Sequence, residues 1–98
     1  MPYSKEFVEI PKILKALADP GRRRMVEYAA LGATYPSEFE EYVGLKQSTV
    51  SYHLKVLVDA GIFSRMDDRC RTQGYVFNGE VIALLGRYLS ACLTQKRR

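Results

Sequence analysis

The sequence predicts a mainly α-helical fold of five helices, with one small β-hairpin between the fourth helix and the last. Three observations carry that prediction. Across residues 43–61 the apolar side chains recur with helical period behind a glycine break. Across residues 62–78 the period changes, and two short runs rich in β-branched and aromatic residues flank a polar stretch. From residue 80 to 94 the helical period returns. Ninety-eight residues suffice for a single domain, residues 1–98, with one modest core.

A first helix is expected from about Ser4 to Ala18, with Phe7, Ile10, Leu14 and Leu17 on one stripe and Ile13 bordering it. Pro11 lies inside this stretch, so the helix either kinks or begins there. Asp19-Pro20 is a helix start signal, with Asp as N-cap and Pro at the first helical position. The second helix then runs from Gly21 to about Leu31, with Met25, Val26, Ala29 and Ala30 available for the core. Arg22, Arg23 and Arg24 fall in its first turn, where the helix dipole disfavours cations. They point to a phosphate, to an acidic neighbour, or simply to a solvated face. After a loop over residues 32–36, Ser37 and Glu40 have the spacing of a capping box that opens a short third helix ending at Gly44. Phe39 and Val43, one turn apart, would pin it to the core.

The fourth helix organises the rest. On a helical wheel its apolar residues Val50, Leu54, Leu57 and Val58 share one side. The opposite side carries Ser48, Ser51, Tyr52, Lys55 and Asp59, flanked by Thr49 and Val56. Short hydroxyls with an aromatic ring and a lysine suit a face that meets hydrogen-bonding base edges and phosphates. Its first turn, Lys46 to Thr49, holds no acid, so the positive helix end is unopposed. Two short helices about a glycine turn make a helix-turn-helix candidate. The same residues also describe an ordinary helical hairpin with a solvated polar face, and both readings stand at this point.

Residues 62–66 and 74–78 read as the strands of a hairpin, joined by a polar loop that sets Arg65, Arg69 and Arg71 against Asp67 and Asp68. Helix, turn, helix, hairpin is the order of a winged helix, and a basic wing reaches DNA backbone or minor groove. Asn78 or Gly79 caps the last helix. Its apolar residues Val81, Ile82, Leu84, Leu85, Tyr88, Leu89, Cys92 and Leu93 spread over about half of its circumference. One face toward its own domain needs less, so a second surface is implied, most simply a copy of the same chain. The tail Gln95-Lys-Arg-Arg98 is expected to fray and to attract anions weakly.

The net charge of +4 and a pI near 9.2 favour an anionic partner, a part that double-stranded DNA would fill without the charge balance proving it. No run approaches the apolar length of a membrane span, and Met-Pro-Tyr-Ser-Lys-Glu lacks a signal-peptide core, so a cytoplasmic protein is expected. Cys70 and Cys92 form no CxxC or Cys/His cluster, and reduced thiols are the default there. An enzyme finds little support: there is one histidine, no glycine-rich phosphate loop and no paired carboxylate site.

Three segments stand in order: Leu14-Lys-Ala-Leu-Ala-Asp-Pro-Gly-Arg-Arg-Arg24, Gly44-Leu-Lys-Gln-Ser-Thr-Val-Ser-Tyr-His-Leu-Lys-Val-Leu57 and Asp59-Ala-Gly-Ile62. In them the sequence resembles the ArsR family of small bacterial winged-helix repressors, and the hairpin and last helix extend the likeness over residues 10–94. The resemblance implies a homodimer that binds an imperfect palindrome and releases it when an effector changes the dimer. It implies an interface from the first and last helices, for which Phe7, Ile10, Leu14, Leu85, Tyr88, Leu89 and Cys92 are the candidates. It also implies Gln47, Ser48, Thr49, Ser51 and Tyr52 at the major groove; the residues themselves add Lys46, Lys55, Arg65, Arg69 and Arg71 as DNA-contacting candidates. Lys46 departs from the family, which often has a capping Ser there; lysine cannot accept the orphan N–H bonds.

The metal-sensing positions implied by the resemblance fall on Tyr35 and Ser37, and on Asn78, Glu80, Ala91 and Thr94. Only Glu80 is a plausible ligand, so no metal or other cofactor is expected. His53, the sole histidine, reads as bonded to nearby backbone or phosphate rather than to a metal. Cys92 reads as a small core residue and Cys70 as incidental, although a thiol switch at either is an alternative. A further alternative is a winged helix used as a protein-interaction module through the last helix. The effector is not named by any of these residues.

Overall fold

Pro11 decides where the first α-helix begins. In this structure, a computed structural model that describes residues 4–66 and 73–94, Lys5–Phe7 forms a separate 3-10 turn and α1 spans Ile10–Leu17. Pro11 sits in the first turn of α1, where a missing N–H costs nothing. The continuous helix expected from Ser4 is therefore replaced by a turn and a shorter helix. A 3-10 turn advances 120° per residue rather than 100°, so the stripe shifts phase. Phe7, Ile10, Ile13 and Ala16 are buried, whereas Leu14 is 45% exposed and Leu17 only partly covered.

Helix α2, Pro20–Ala30, starts as its Asp-Pro signal predicts. The Asp19 carboxylate accepts from the N–H of Gly21 at 2.7 Å and of Arg22 at 3.2 Å. Met25 and Ala29 are buried and Val26 half-buried, but Ala30 is exposed, because the helix ends there against solvent. Helix α3, Pro36–Val43, opens differently from the expected Ser37/Glu40 box. Proline at its first position places Ser37 second and Glu38 third, and Glu38 Oε1 accepts from the N–H of Thr34 and Tyr35, both at 2.9 Å. Phe39 is fully buried, Val43 partly so, and Gly44 ends the helix at φ 76°.

Helix α4 spans Gln47–Asp59 and is followed by Gly61 at φ 79°, which turns the chain into the hairpin. Strands β1, Phe63–Arg65, and β2, Tyr75–Phe77, pair antiparallel with Phe63 opposite Phe77 and Arg65 opposite Tyr75. Backbone bonds Met66 N–H to Gly74 O and Asn78 N–H to Ile62 O carry the pairing one residue past each strand end. The Tyr75 N–H also donates to Thr34 O at 2.8 Å, docking the wing base against the loop before α3. Phe63 is the hinge of the core, stacked on Phe39 at 5.8 Å and edge-on to Phe77 at 6.3 Å.

Helix α5, Gly79–Thr94, lies across this body with no fully buried residue. Val81, Ile82, Leu84, Leu85, Tyr88 and Ala91 pack partly on the core, and Tyr88 meets Phe7 edge-on at 5.5 Å. Among the described residues no helix is long and apolar enough to cross a membrane.

Candidate nucleic-acid interface

Burial on one side of α4 determines what its other side offers. Val50, Leu54 and Leu57 are buried and Val58 partly so, which turns Ser48, Ser51, Tyr52, Lys55 and Asp59 outward. Tyr52 is 61% exposed; Thr49 and Val56 flank the face half-buried, as the helical period predicts. Lys46 and Gln47 are exposed at the N-terminal end, and Lys46 makes no side-chain cap. The first backbone N–H groups of α4 therefore lack a capping side chain and point at an approaching anion. Gly44 separates this helix from α3, and Arg65 stands exposed on the wing strand β1. Arg69, Arg71 and Cys70, like the acids Asp67 and Asp68 and the basic tail after Thr94, lie outside the described residues.

Behind this face a polar cluster joins three helices. His53 is 6% exposed, with Nε2 3.5 Å from Asp19 Oδ1 and Nδ1 3.2 Å from Arg22 Nη1. Its partners are thus two side chains of the same chain, not the backbone or phosphate expected of it. A guanidinium has only donors, so Nδ1 must accept and the ring proton sits on Nε2, toward Asp19. Burial, followed by the Arg22 charge, holds the His53 pKa below its ordinary value, with Asp19 pulling the other way. Partial burial pushes the Asp19 carboxyl up. The N–H groups of Arg22 and Gly21, with the His53 and Arg22 charges, outweigh this and leave it below the usual carboxylate value.

Two of the three arginines of α2, Arg22 and Arg23, serve the preceding helix, while Arg24 is exposed. Arg22 Nε donates to Ala16 O at 2.6 Å and Nη2 to Lys15 O at 3.3 Å. Arg23 Nη1 donates to Leu17 O and Ala18 O at 2.8 and 3.0 Å. They satisfy the orphan carbonyls at the α1 C-terminus, where cations are favoured, which offsets their poor place at the α2 N-terminus. This role is none of those that the three adjacent arginines suggested: a phosphate, an acidic neighbour or a solvated face. The signal was the two-residue link between α1 and α2, which brings the end of one helix against the start of the next.

The dimer candidates divide. Phe7 and Ile10, at 6% and 3% exposed, turn into the chain's own core and offer a partner little surface. Leu14 faces outward, Leu85 and Tyr88 are half-covered, and Leu89 is 54% exposed. Val8 at 73% and Leu93 at 86% are also exposed apolar residues on or beside α1 and α5, though neither was among the candidates. Cys92 is exposed on α5, not the core residue expected, because Tyr88 and Ala91 make the core contacts in the last turns of that helix and leave it outside them. Among the described residues no group of three or more His, Cys, Asp or Glu comes together to hold a metal ion. At the positions implied by the resemblance, the Asn78 amide donates to Gly61 O and Ser64 Oγ, tying the hairpin base, while Glu80 and Thr94 are exposed.

Comparison with known proteins agrees with this geometry. A family model described as "Bacterial regulatory protein, arsR family" matches residues 19–64, which run from the α2 cap to the first wing strand. Over 82 residues, 82% of its length, the chain is 33% identical to the "Probable mercury resistance operon repressor" of Streptomyces lividans and covers 66% of it. Over 53 residues, 54% of its length, it is 34% identical to the arsenical resistance operon repressor of Staphylococcus xylosus and covers 51% of it. The chain thus spans about two thirds and about half of these relatives. The fold is similar to that of an ArsR-like transcriptional regulator from Rhodococcus sp. RHA1, with a TM-score of 0.79 over 91% of this chain and 83% of that one, at 17% identity.

Proposed function

The chain belongs to the ArsR family of winged-helix regulators, and on that premise we propose that it is a homodimeric, sequence-specific DNA-binding repressor rather than an enzyme. The observation that carries the reading is the outward face of α4. Hydroxyls, an aromatic ring and lysines surround a helix end whose N–H groups have no capping side chain. Gln47, Ser48, Thr49, Ser51 and Tyr52 read base edges in the major groove; Lys46, Lys55 and Arg65 hold phosphates. Arg69 and Arg71 join them on the strength of the sequence alone. The whole chain acts as one DNA-binding and dimerisation domain, and two copies meet through Leu14, Leu89 and the half-covered Leu85 and Tyr88 to span an imperfect palindrome.

The two relatives are named for resistance to mercury and to arsenicals. We assign no metal response to this chain, because Tyr35, Ser37, Asn78, Ala91 and Thr94 are poor ligands or none at the positions where the family binds metals. The exposed thiol of Cys92 supports a second, thiol-responsive version of the same repressor. Use of α5 to hold a different protein is the remaining alternative, supported by the exposure of Leu89 and Leu93.

Selection of bound duplexes from a random pool, repeated across salt concentrations, tests the proposal. A shared palindromic motif and an affinity that falls steeply with salt are expected. Salt-insensitive behaviour with no duplex enriched would favour the protein-interaction module. Within the selected site, Ser51→Ala or Tyr52→Ala should change base preference, each good base contact being worth roughly 1–3 kcal/mol. Arg65→Ala should weaken all duplexes alike and make the logarithmic salt dependence shallower by about one per lost phosphate contact in each subunit.

A further inference from the structure

A cavity of about 250 Å³ opens between α1 and α4. At ~30 Å³ per water molecule that is room for about eight waters, or a small organic molecule. Its apolar surface comes from Ala16, Val56, Ala60 and the Tyr52 ring, and its charged lining is uneven. Lys12, Lys15 and Arg22 face it with three positive charges against the single acid Asp59. Arg22 is held by Ala16 O, Lys15 O and His53 Nδ1, so it is already ordered before any ligand arrives. Those three bonds use three of its five N–H donors and leave two for an anion. Asp59 lies six residues after His53 on α4, so about 9 Å of helix separates it from the Arg22 end.

We propose that this cavity binds a small aromatic carboxylate carrying a hydroxyl, and that its occupation weakens the grip of α4 on DNA. The carboxylate meets Arg22 and Lys15, the ring lies against Val56 and Tyr52, and the hydroxyl donates to Asp59. Tyr52 belongs to both the cavity wall and the outward face of α4, so a bound ligand constrains a side chain that DNA also needs. The ligand also brings a negative charge beside the helix that must approach phosphates. This second step rests on the DNA-reading role of α4; the binding step does not.

Titration calorimetry of the full chain with 4-hydroxybenzoate tests the site directly. Neutral 4-hydroxybenzamide, benzoate, and the variants Lys15→Met and Asp59→Asn serve as comparisons; both substituted residues are exposed, and a thermal melt verifies that each variant is folded. One 4-hydroxybenzoate per chain is expected, with affinity about tenfold lower for the amide and for Lys15→Met. Asp59→Asn, which keeps only a neutral acceptor, should reduce the preference for 4-hydroxybenzoate over benzoate. No saturable heat, equal binding of acid and amide, or an unaffected Lys15→Met would overturn the site. Release from a selected duplex is measured separately. Binding of the acid without any weakening of the DNA complex refutes the coupling, whereas binding of the acid by a chain that holds no duplex refutes the DNA-reading role and leaves the site standing. If the acid does not bind while Lys15→Met weakens every duplex alike, the lysine is a phosphate contact and the proposed site is lost.

Discussion

His53 ties α4 to the start of α2 through a titratable ring. Its Nδ1 accepts from Arg22 and its Nε2–H faces Asp19, so the neutral ring is the form that fits. Protonation would aim a new N–H at a guanidinium and charge a group that is 6% exposed. Because the folded pKa lies below the ordinary 6.5, the unfolded chain binds more protons than the folded one between the folded pKa and that value. The stability contributed by His53 is therefore present above pH 6.5 and is lost as pH falls through that window. Asp19 is lowered too, but as an acid: its contribution is present above its usual 3.8 and lost only as pH falls below it. Denaturant melts between about pH 8 and pH 5 should show the first loss, and His53→Gln should flatten it. A wild-type chain equally stable at both ends of that range would contradict this account.

At the level of the element, the start of α4 trades stability for function. Asp19 caps α2 with two bonds and Glu38 ties down the start of α3, yet Lys46 gives α4 no cap. Lys46→Ser should stabilise the chain by about 0.5–2 kcal/mol through a restored N-cap bond. The same change should weaken DNA binding and make its salt dependence shallower, since a phosphate-seeking charge is gone. Melting and duplex titration on one preparation check both halves, and a variant that gains stability and keeps full affinity would show that Lys46 contacts no phosphate. Arg23 offers a second test. Arg23→Ala removes both bonds to the α1 C-terminus and should cost about 1–3 kcal/mol, a hydrogen bond to a charged group being worth the upper part of that range.

The whole molecule is longer than a chain of its size needs to be. Its radius of gyration is 15.0 Å, against about 12.6 Å expected for a compact chain of this length. Helix α5 buries none of its sixteen residues fully, and it leaves Leu89 and Leu93 exposed, as Leu14 is on α1. A second copy laid on these residues would remove them from water, which is the physical case for the dimer. Leu89→Glu should shift sedimentation toward the monomer and reduce binding to the palindrome more than to a half-site. A wild-type chain that sediments as a monomer at micromolar concentration would exclude the arrangement. Sub-micromolar Zn²⁺ should neither bind stoichiometrically nor release the operator. One tight Zn²⁺ per subunit, lost in Cys70→Ser or Cys92→Ser, would mean that ligands meet across the dimer.

Local periodicity was enough to read the two faces of α4, because a helix that buries Val50, Leu54 and Leu57 has no choice about where Ser51 and Tyr52 point. Local chemistry was likewise enough for the Asp19 cap, the Gly44 stop and the two strands, since each depends on a few neighbouring residues. What lay beyond the sequence depends on contacts between distant elements. A wheel places Leu14 beside Ile10, but only the packing of α1 against α2 and α4 turns Ile13 and Ala16 inward and leaves Leu14 outside. Periodicity spread the apolar residues of α5 without saying that Cys92 would lie uncovered. Arg22 and Arg23 gave no hint of their partners, because those are carbonyls at the end of another helix and a histidine 31 residues from Arg22. Propensity and period act over a turn or two of chain, whereas a buried side chain's partners follow from how whole helices cross, and that crossing is decided by the core they share.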